Sequence, residues 1–312
     1  MNRVIGSAED FTKSELNSIF RYAKKGERLF AEYAEYAKGK ILGTLFIQPS
    51  LRTQQGFKSA FMKLGGNCLG FDSIANANTD SNRYESLSDS SKFVSEYCDI
   101  AIMRCQDPAS FYEFAENASI PVISAGHGKI EHPSTGLTEV FSLMQHFGEV
   151  NGLSILIFAK LPKRCTISFI KCLSKWKSIN LHFITAEGYH HAEDTESFII
   201  KHFSRVNYYY SVEEFVHKCN PRNIDILYID DAESDHMPDR NGYGHWNIII
   251  NEDVRRLFRP DVYITAPLPR TRMLPVELDK SNDVFFLKKA PNSLIVRASL
   301  LIHLLQSTKI EC

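Results

Sequence analysis

The chain has 312 residues, 44% hydrophobic and 23% charged, with a formal net charge of −1. That length suits two packed domains better than one core. The near-zero charge excludes a broad pull toward nucleic acid or an anionic membrane, so an anion site must be a local cluster of basic groups. The seven cysteines are odd in number and form no C-x-x-C pair, which suggests neither a disulfide framework nor a zinc knuckle. No apolar run approaches the roughly 20 residues of a membrane helix. The polar start MNRVIGSAEDFTKSEL shows no apolar core of a secretory leader, so a cytoplasmic location is expected.

The predicted elements open with a helix over Thr12–Lys24 and a strand over Ile41–Ile47. A helix over Gln54–Leu64 comes next, then a polar stretch, Asp72–Asp89, that reads as a long exposed loop. Strands are predicted at Asp99–Met103 and Pro121–Ser124, and a helix at Leu137–Phe147. A domain boundary is expected near Gly148–Gly152, ahead of a strand over Leu153–Ala159 and a helix over Arg164–Trp176. Further strands are predicted at Asn180–Thr185, Val206–Tyr210, Asp225–Ile229 and Asp261–Thr265, with a last helix over Asn292–Leu305. Strand and helix alternating in this way predict an α/β fold with parallel sheets covered on both faces. Ligands of such sheets bind beyond the carboxyl ends of the strands.

Three strand ends carry the chemistry. The first runs into Gln48-Pro49-Ser50-Leu51-Arg52-Thr53 and then a helix, placing hydroxyls, a guanidinium and free helix amides together. That combination suits a phosphate, although the same hydroxyls also read as an ordinary helix cap. The second strand ends at Met103-Arg104, where a lone Arg also reads as a surface ion-pair partner. The third leads to His132-Pro133 at a helix start, where the ring is placed either to donate to a developing oxyanion or to serve as a cap.

Taken in order, Pro49-Ser50-Leu51-Arg52-Thr53, Phe57, Leu64-Gly65-Gly66, Glu85-Ser86-Leu87-Ser88-Asp89, Met103-Arg104 and His132-Pro133 resemble the aspartate and ornithine carbamoyltransferases. Asp225-Ile226-Leu227-Tyr228, Pro267-Leu268-Pro269-Arg270 and a final helix carrying Arg297 extend the resemblance over nearly the whole chain. It is nearer the aspartate enzyme, since Ala266-Pro267-Leu268-Pro269 stands where the ornithine enzyme has His-Cys-Leu-Pro.

The resemblance implies two doubly wound parallel-sheet domains. Residues 1–148 would bind carbamoyl phosphate and 149–290 the acceptor, with the helix in 291–312 packing back on the first domain. It implies transfer of a carbamoyl group from carbamoyl phosphate to an amine, with no metal or organic cofactor. Ser50, Arg52, Thr53 and the Leu51 amide would hold the phosphate. Thr53, Arg104 and His132 would contact the carbonyl oxygen, making Arg52, Thr53, Arg104 and His132 the catalytic set. The carbonyls of Pro267 and Leu268 would accept from the carbamoyl amide, aimed by a cis Leu268–Pro269 bond. Thr79 and Arg83 would reach a neighbouring subunit's site, which implies a homotrimer. Arg164 would bind the acceptor's α-carboxylate.

The chain also departs from the aspartate pattern. Leu51 replaces a hydroxyl residue, Gln54 an Arg, Thr135 a Gln that touches the carbamoyl amide, and Arg83 a Lys. Asp231 and Glu233 stand where an Arg and a Gln grip the side-chain carboxylate of aspartate, next to Asp230. Facing carboxylates repel, so the expected acceptor is an amine other than aspartate. If Asp230, Asp231 and Glu233 form only a solvated acidic turn, an aspartate carbamoyltransferase of pyrimidine biosynthesis is the alternative. The lost Gln and Lys leave an inactive, binding-only homologue as a third.

Overall fold

The structure is a computed structural model that describes residues 3–71, 85–159, 163–185, 193–230, 248–270, 273–280 and 284–307. The chain divides into two units, residues 1–145 with 291–312, and residues 146–290.

The sheet of the first unit is built from β1 (Val4–Ile5), β2 (Ile41–Phe46), β3 (Asn67–Phe71), β4 (Ile100–Cys105) and β5 (Val122–His127). Its order is β1-β5-β4-β2-β3 and every pairing is parallel. The helices of this part are α1 (Lys13–Ala23), α2 (Arg28–Glu32), α3 (Leu51–Lys63), α4 (Leu87–Tyr97), α5 (Pro108–Asn117) and α6 (Pro133–Phe147). Central strands of a parallel sheet are covered on both faces, and β4 and β5 are accordingly buried at every position. One side packs Leu45, Ala101, Met103 and Val122 against Val94, Phe111 and Phe114.

The second unit pairs β6 (Ser154–Phe158), β7 (Asn180–Ile184), β8 (Arg205–Tyr209), β9 (Ile226–Ile229) and β10 (Tyr263–Thr265) in the order β10-β9-β6-β7-β8, again all parallel. With it go α7 (Arg164–Leu173), α8 (Glu193–His202), α9 (Val212–Lys218) and α10 (Glu252–Arg256). Leu156, Phe158, Leu227, Ile229 and Ile264 form a core with Phe215, Phe258 and Phe286. The last helix, α11 (Ala290–Ser307), returns to the first unit, where Asn292 Nδ2 donates to Ser142 Oγ and Gln306 Nε2 to Tyr22 Oη. The protein is thus a two-domain α/β fold with two five-stranded parallel sheets. Among the described residues, no helix is long and apolar enough to cross a membrane.

All eight predicted strands form, with ends displaced by up to three residues. β1 and β3 were not expected: β1 is two residues long, and β3 is an edge strand, mostly exposed and interrupted by Gly70, so neither carries an alternating apolar signal. α3 begins three residues before Gln54, because extended Ser50 starts the helix directly after Pro49. α6 begins at Pro133, whose fixed φ suits a first helical turn and whose missing N–H costs nothing there. The polar stretch expected as a loop to Asp89 ends sooner: Ser86 Oγ accepts from Asp89 N at 3.0 Å and starts α4, while residues 72–84 lie outside the described residues.

Candidate active site

In the first unit, β2, β4 and β5 lie side by side, so the segments beyond their carboxyl ends converge. β2 hands over to α3 through Ser50, which is extended (φ −155°, ψ 101°) and whose hydroxyl does not cap the helix. The cap residue therefore leaves the first-turn amides of α3 to another acceptor, as an anion site at a helix N-terminus requires. Leu51 is 77% exposed, so its side chain offers no grip and only its amide is available to an anion. Arg52 is exposed beside it, and Thr53 is buried on the inner face of the turn.

Arg104, buried near the end of β4, donates from Nη1 to the Ala125 carbonyl at 3.1 Å. Its own carbonyl accepts from Gln48 N at 3.3 Å, which ties the end of β4 to the segment leading into α3. His132, also buried, precedes α6. Its Nε2 lies 3.2 Å from Thr53 Oγ1, and its carbonyl accepts from Thr135 N at 2.9 Å. Half-buried Thr135 therefore stands in the first turn of α6. The fold thus brings Ser50, Leu51, Arg52, Thr53, Arg104, His132 and Thr135 to one end of one sheet. Two guanidiniums, hydroxyls, an imidazole and helix N-terminal amides gather there. The set favours a phosphate and a polarised carbonyl.

In the second unit, half-buried Arg164 opens α7 beyond β6. Asp230 comes directly after β9, with its amide donating to the Phe158 carbonyl at 2.9 Å. Its carboxylate is buried and accepts from the Thr166 hydroxyl on α7. Pro267 and Leu268 come after β10, both half-buried, and Leu268–Pro269 is a cis bond. Buried Lys289 anchors that loop, donating to Thr265 Oγ1 at 3.0 Å and the Ala266 carbonyl at 2.8 Å. Arg270 clamps Asp279 through Nη2 at 2.5 and 2.7 Å and lies over the Phe286 ring. Thr79, Arg83, Asp231 and Glu233 lie outside the described residues.

The carbamoyl-phosphate-binding domain of the aspartate/ornithine carbamoyltransferases matches residues 3–145. An aspartate carbamoyltransferase catalytic subunit from Wigglesworthia glossinidia brevipalpis is 30% identical, the alignment covering 97% of each chain. The chain belongs to the aspartate/ornithine carbamoyltransferase family. It is therefore a carbamoyltransferase. The catalytic subunit from Finegoldia magna is 28% identical over 97% of this chain and 98% of that one. Among solved structures, the catalytic subunit of M. jannaschii aspartate transcarbamoylase superposes with a TM-score of 0.83, at 25% identity and 99% coverage of both chains. The aspartate transcarbamoylase from Trypanosoma cruzi shares the fold at a TM-score of 0.85 and 22% identity, covering 97% of this chain and 96% of that one.

These relatives overturn the expectation of an acceptor other than aspartate. They are aspartate carbamoyltransferases aligned over nearly the full chain. The expectation rested on Asp231 and Glu233, which lie outside the described residues, and on neighbouring Asp230, whose buried carboxylate already accepts from the Thr166 hydroxyl of its own unit, so charge counted along the sequence did not establish an acidic clamp.

Several supporting residues had no separate signal in the sequence. Thr166 and Lys289 belong to no motif, and only the fold brings them to Asp230 and Ala266. Gly56 stands in the middle of α3, where glycine costs roughly 1 kcal/mol against alanine, and that oddity was a readable hint of a close neighbour.

Proposed function

We propose that the protein transfers the carbamoyl group of carbamoyl phosphate to the α-amine of aspartate, as a cytoplasmic homotrimer whose sites are shared between subunits. The observation that carries the chemistry is the convergence of the α3 N-terminus, Arg52, Arg104 and the Thr53–His132 pair at one sheet end. Support for aspartate comes from relatives that span the chain and are aspartate carbamoyltransferase catalytic subunits.

In the reaction, the lone pair of a neutral amine attacks the carbonyl carbon and forms the new C–N bond. The tetrahedral intermediate then loses the phosphate oxygen as the C–O bond breaks, and the amine proton leaves with the phosphate. In this reading Ser50, Arg52, Thr53 and the Leu51 amide hold the phosphate. Thr53, Arg104 and His132 face the oxygen on which charge develops. The carbonyls of Pro267 and Leu268 hold the carbamoyl amide, Thr135 lies near it, and Arg164 holds the α-carboxylate. Positioning and fixed positive charge supply the rate, because water need not reorganise around the developing oxyanion.

Thr79 and Arg83 complete a neighbour's site in this proposal, which rests on the resemblance and on the polarity of the segment that carries them. Arg52→Ala and Arg83→Ala chains should each lose formation of carbamoyl-aspartate. Mixed and reassembled, they should regain part of it, because some hybrid sites receive both intact residues. Recovery no greater than either variant alone would refute shared sites.

A further inference from the structure

Arg297 lies on α11, far along the chain from the phosphate loop, yet the fold sets it against α3 within the first unit. Only 5% of it is exposed. Its guanidinium carbon sits 5.3 Å above the centre of the Phe57 ring. A methyl group built on Gly56 would stand 2.8 Å from Nη1 and 3.3 Å from Cζ. Gly56 is four residues, one helical turn, beyond Arg52. The mid-helix glycine thus has a cause: it lets a guanidinium lie on the helix backbone one turn behind the anion site.

The charge there is uncompensated. Nη1 donates to the Ser293 carbonyl at 3.2 Å and to the Ser293 hydroxyl, both neutral, while Nε is buried with no hydrogen-bond partner. Among the described residues no carboxylate pairs with it. Burial, and then the positive charge of Arg52, draw its pKa down to about 10, so it stays protonated at neutral pH. Burying a cation without a counter-ion is costly, and a second cation nearby adds to the cost. A dianion bound at the head of α3 relieves both.

We propose that Arg297 is a positioning residue of the phosphate site, a buried fixed charge against the second turn of α3, one turn behind the anion site, that strengthens anion binding without touching the substrate. The inference rests on the reading of that turn as the carbamoyl phosphate site. It explains why α3 tolerates a glycine at 56 and why Arg297 has no acidic partner among the described residues. The charge is held by Phe57, Ser293 and the glycine gap, so it needs no reorganisation when phosphate arrives.

The test is calorimetric titration with inorganic phosphate, together with steady-state kinetics. Arg297→Met keeps the bulk and removes the charge; it should weaken phosphate binding about tenfold or more and raise KM for carbamoyl phosphate, leaving KM for aspartate near the parent value. Arg297→Lys should recover much of the loss, which a packing role would not produce. Phosphate affinity equal to the parent in folded Arg297→Met overturns the inference. If that variant does not fold, Gly56→Ala serves instead, because its new methyl displaces the guanidinium; unchanged affinity there overturns it equally. Arg52→Ala separates the two levels. If the parent binds phosphate and Arg52→Ala does not, the site reading stands whatever Arg297 does. If Arg52→Ala binds like the parent, the site reading falls and the Arg297 inference with it.

Discussion

His132 shows what a single side chain contributes here. It is buried at the head of α6, 3.2 Å from Thr53 Oγ1, and so joins the turn after β2 to the turn after β5. A donor preorganised toward a developing oxyanion typically contributes on the order of 10²–10³ in turnover. His132→Ala should therefore lower kcat by that order while phosphate affinity, which the proposed reading assigns to Ser50, Arg52, Thr53 and the Leu51 amide, changes little. Stopped assays with calorimetry on the same preparation measure both, and turnover equal to the parent would assign His132 to packing alone. At this scale the motif order was enough to pick out residues that the fold gathers at one sheet end, because Ser50, Arg52, Thr53, Arg104 and His132 each lie in a segment following a predicted strand. The acceptor was misjudged for an equally local reason. A carboxylate after a strand reads as an open partner for a ligand amine, whereas Asp230 is buried and already accepts from the Thr166 hydroxyl on another element.

At the scale of elements, stability should respond to pH through buried histidines. His182 on β7 stacks on Tyr209, and burial holds its pKa below the usual value near 6.5. His303 on α11 is likewise lowered, by burial first, with Glu15 opposing in part. Between each folded value and about 6.5 the unfolded chain binds more protons than the folded one, so stability is lost as pH falls below about 6.5 and levels off beneath the folded values. Melting temperature should drop between pH 7.5 and 5.5, and His182→Gln should reduce the size of that drop. A variant whose melting temperature falls as steeply as the parent's would contradict the assignment to His182. The elements themselves were legible where a run of apolar residues ended at a polar break, as at Ile41–Phe46 and Ile226–Ile229. They were not legible where the sheet supplied what the segment lacked: Val4–Ile5 forms a strand only because its backbone pairs with Val122 and Ile123.

At the scale of the whole molecule, two five-stranded parallel sheets with the orders β1-β5-β4-β2-β3 and β10-β9-β6-β7-β8 place the described candidate ligand-binding residues at or beyond a strand's carboxyl end. The carbamoyl-phosphate-binding domain keeps a recognisable motif because a phosphate and a carbonyl impose fixed geometry. The acceptor residues expected from the sequence, Arg164, Asp230, Asp231 and Glu233, were read from charge alone, and charge along a sequence does not give direction in space. For that reason the sequence led to the family and away from the acceptor named in its relatives. The central claim is carbamoyl transfer to aspartate, and the direct measurement is kcat/KM for ureido product from carbamoyl phosphate across a panel of amino acids and amines that includes aspartate, ornithine and diaminobutyrate. Aspartate should give the highest value by a wide margin; a higher value for any diamine, or no product from aspartate at saturating carbamoyl phosphate, would contradict the claim.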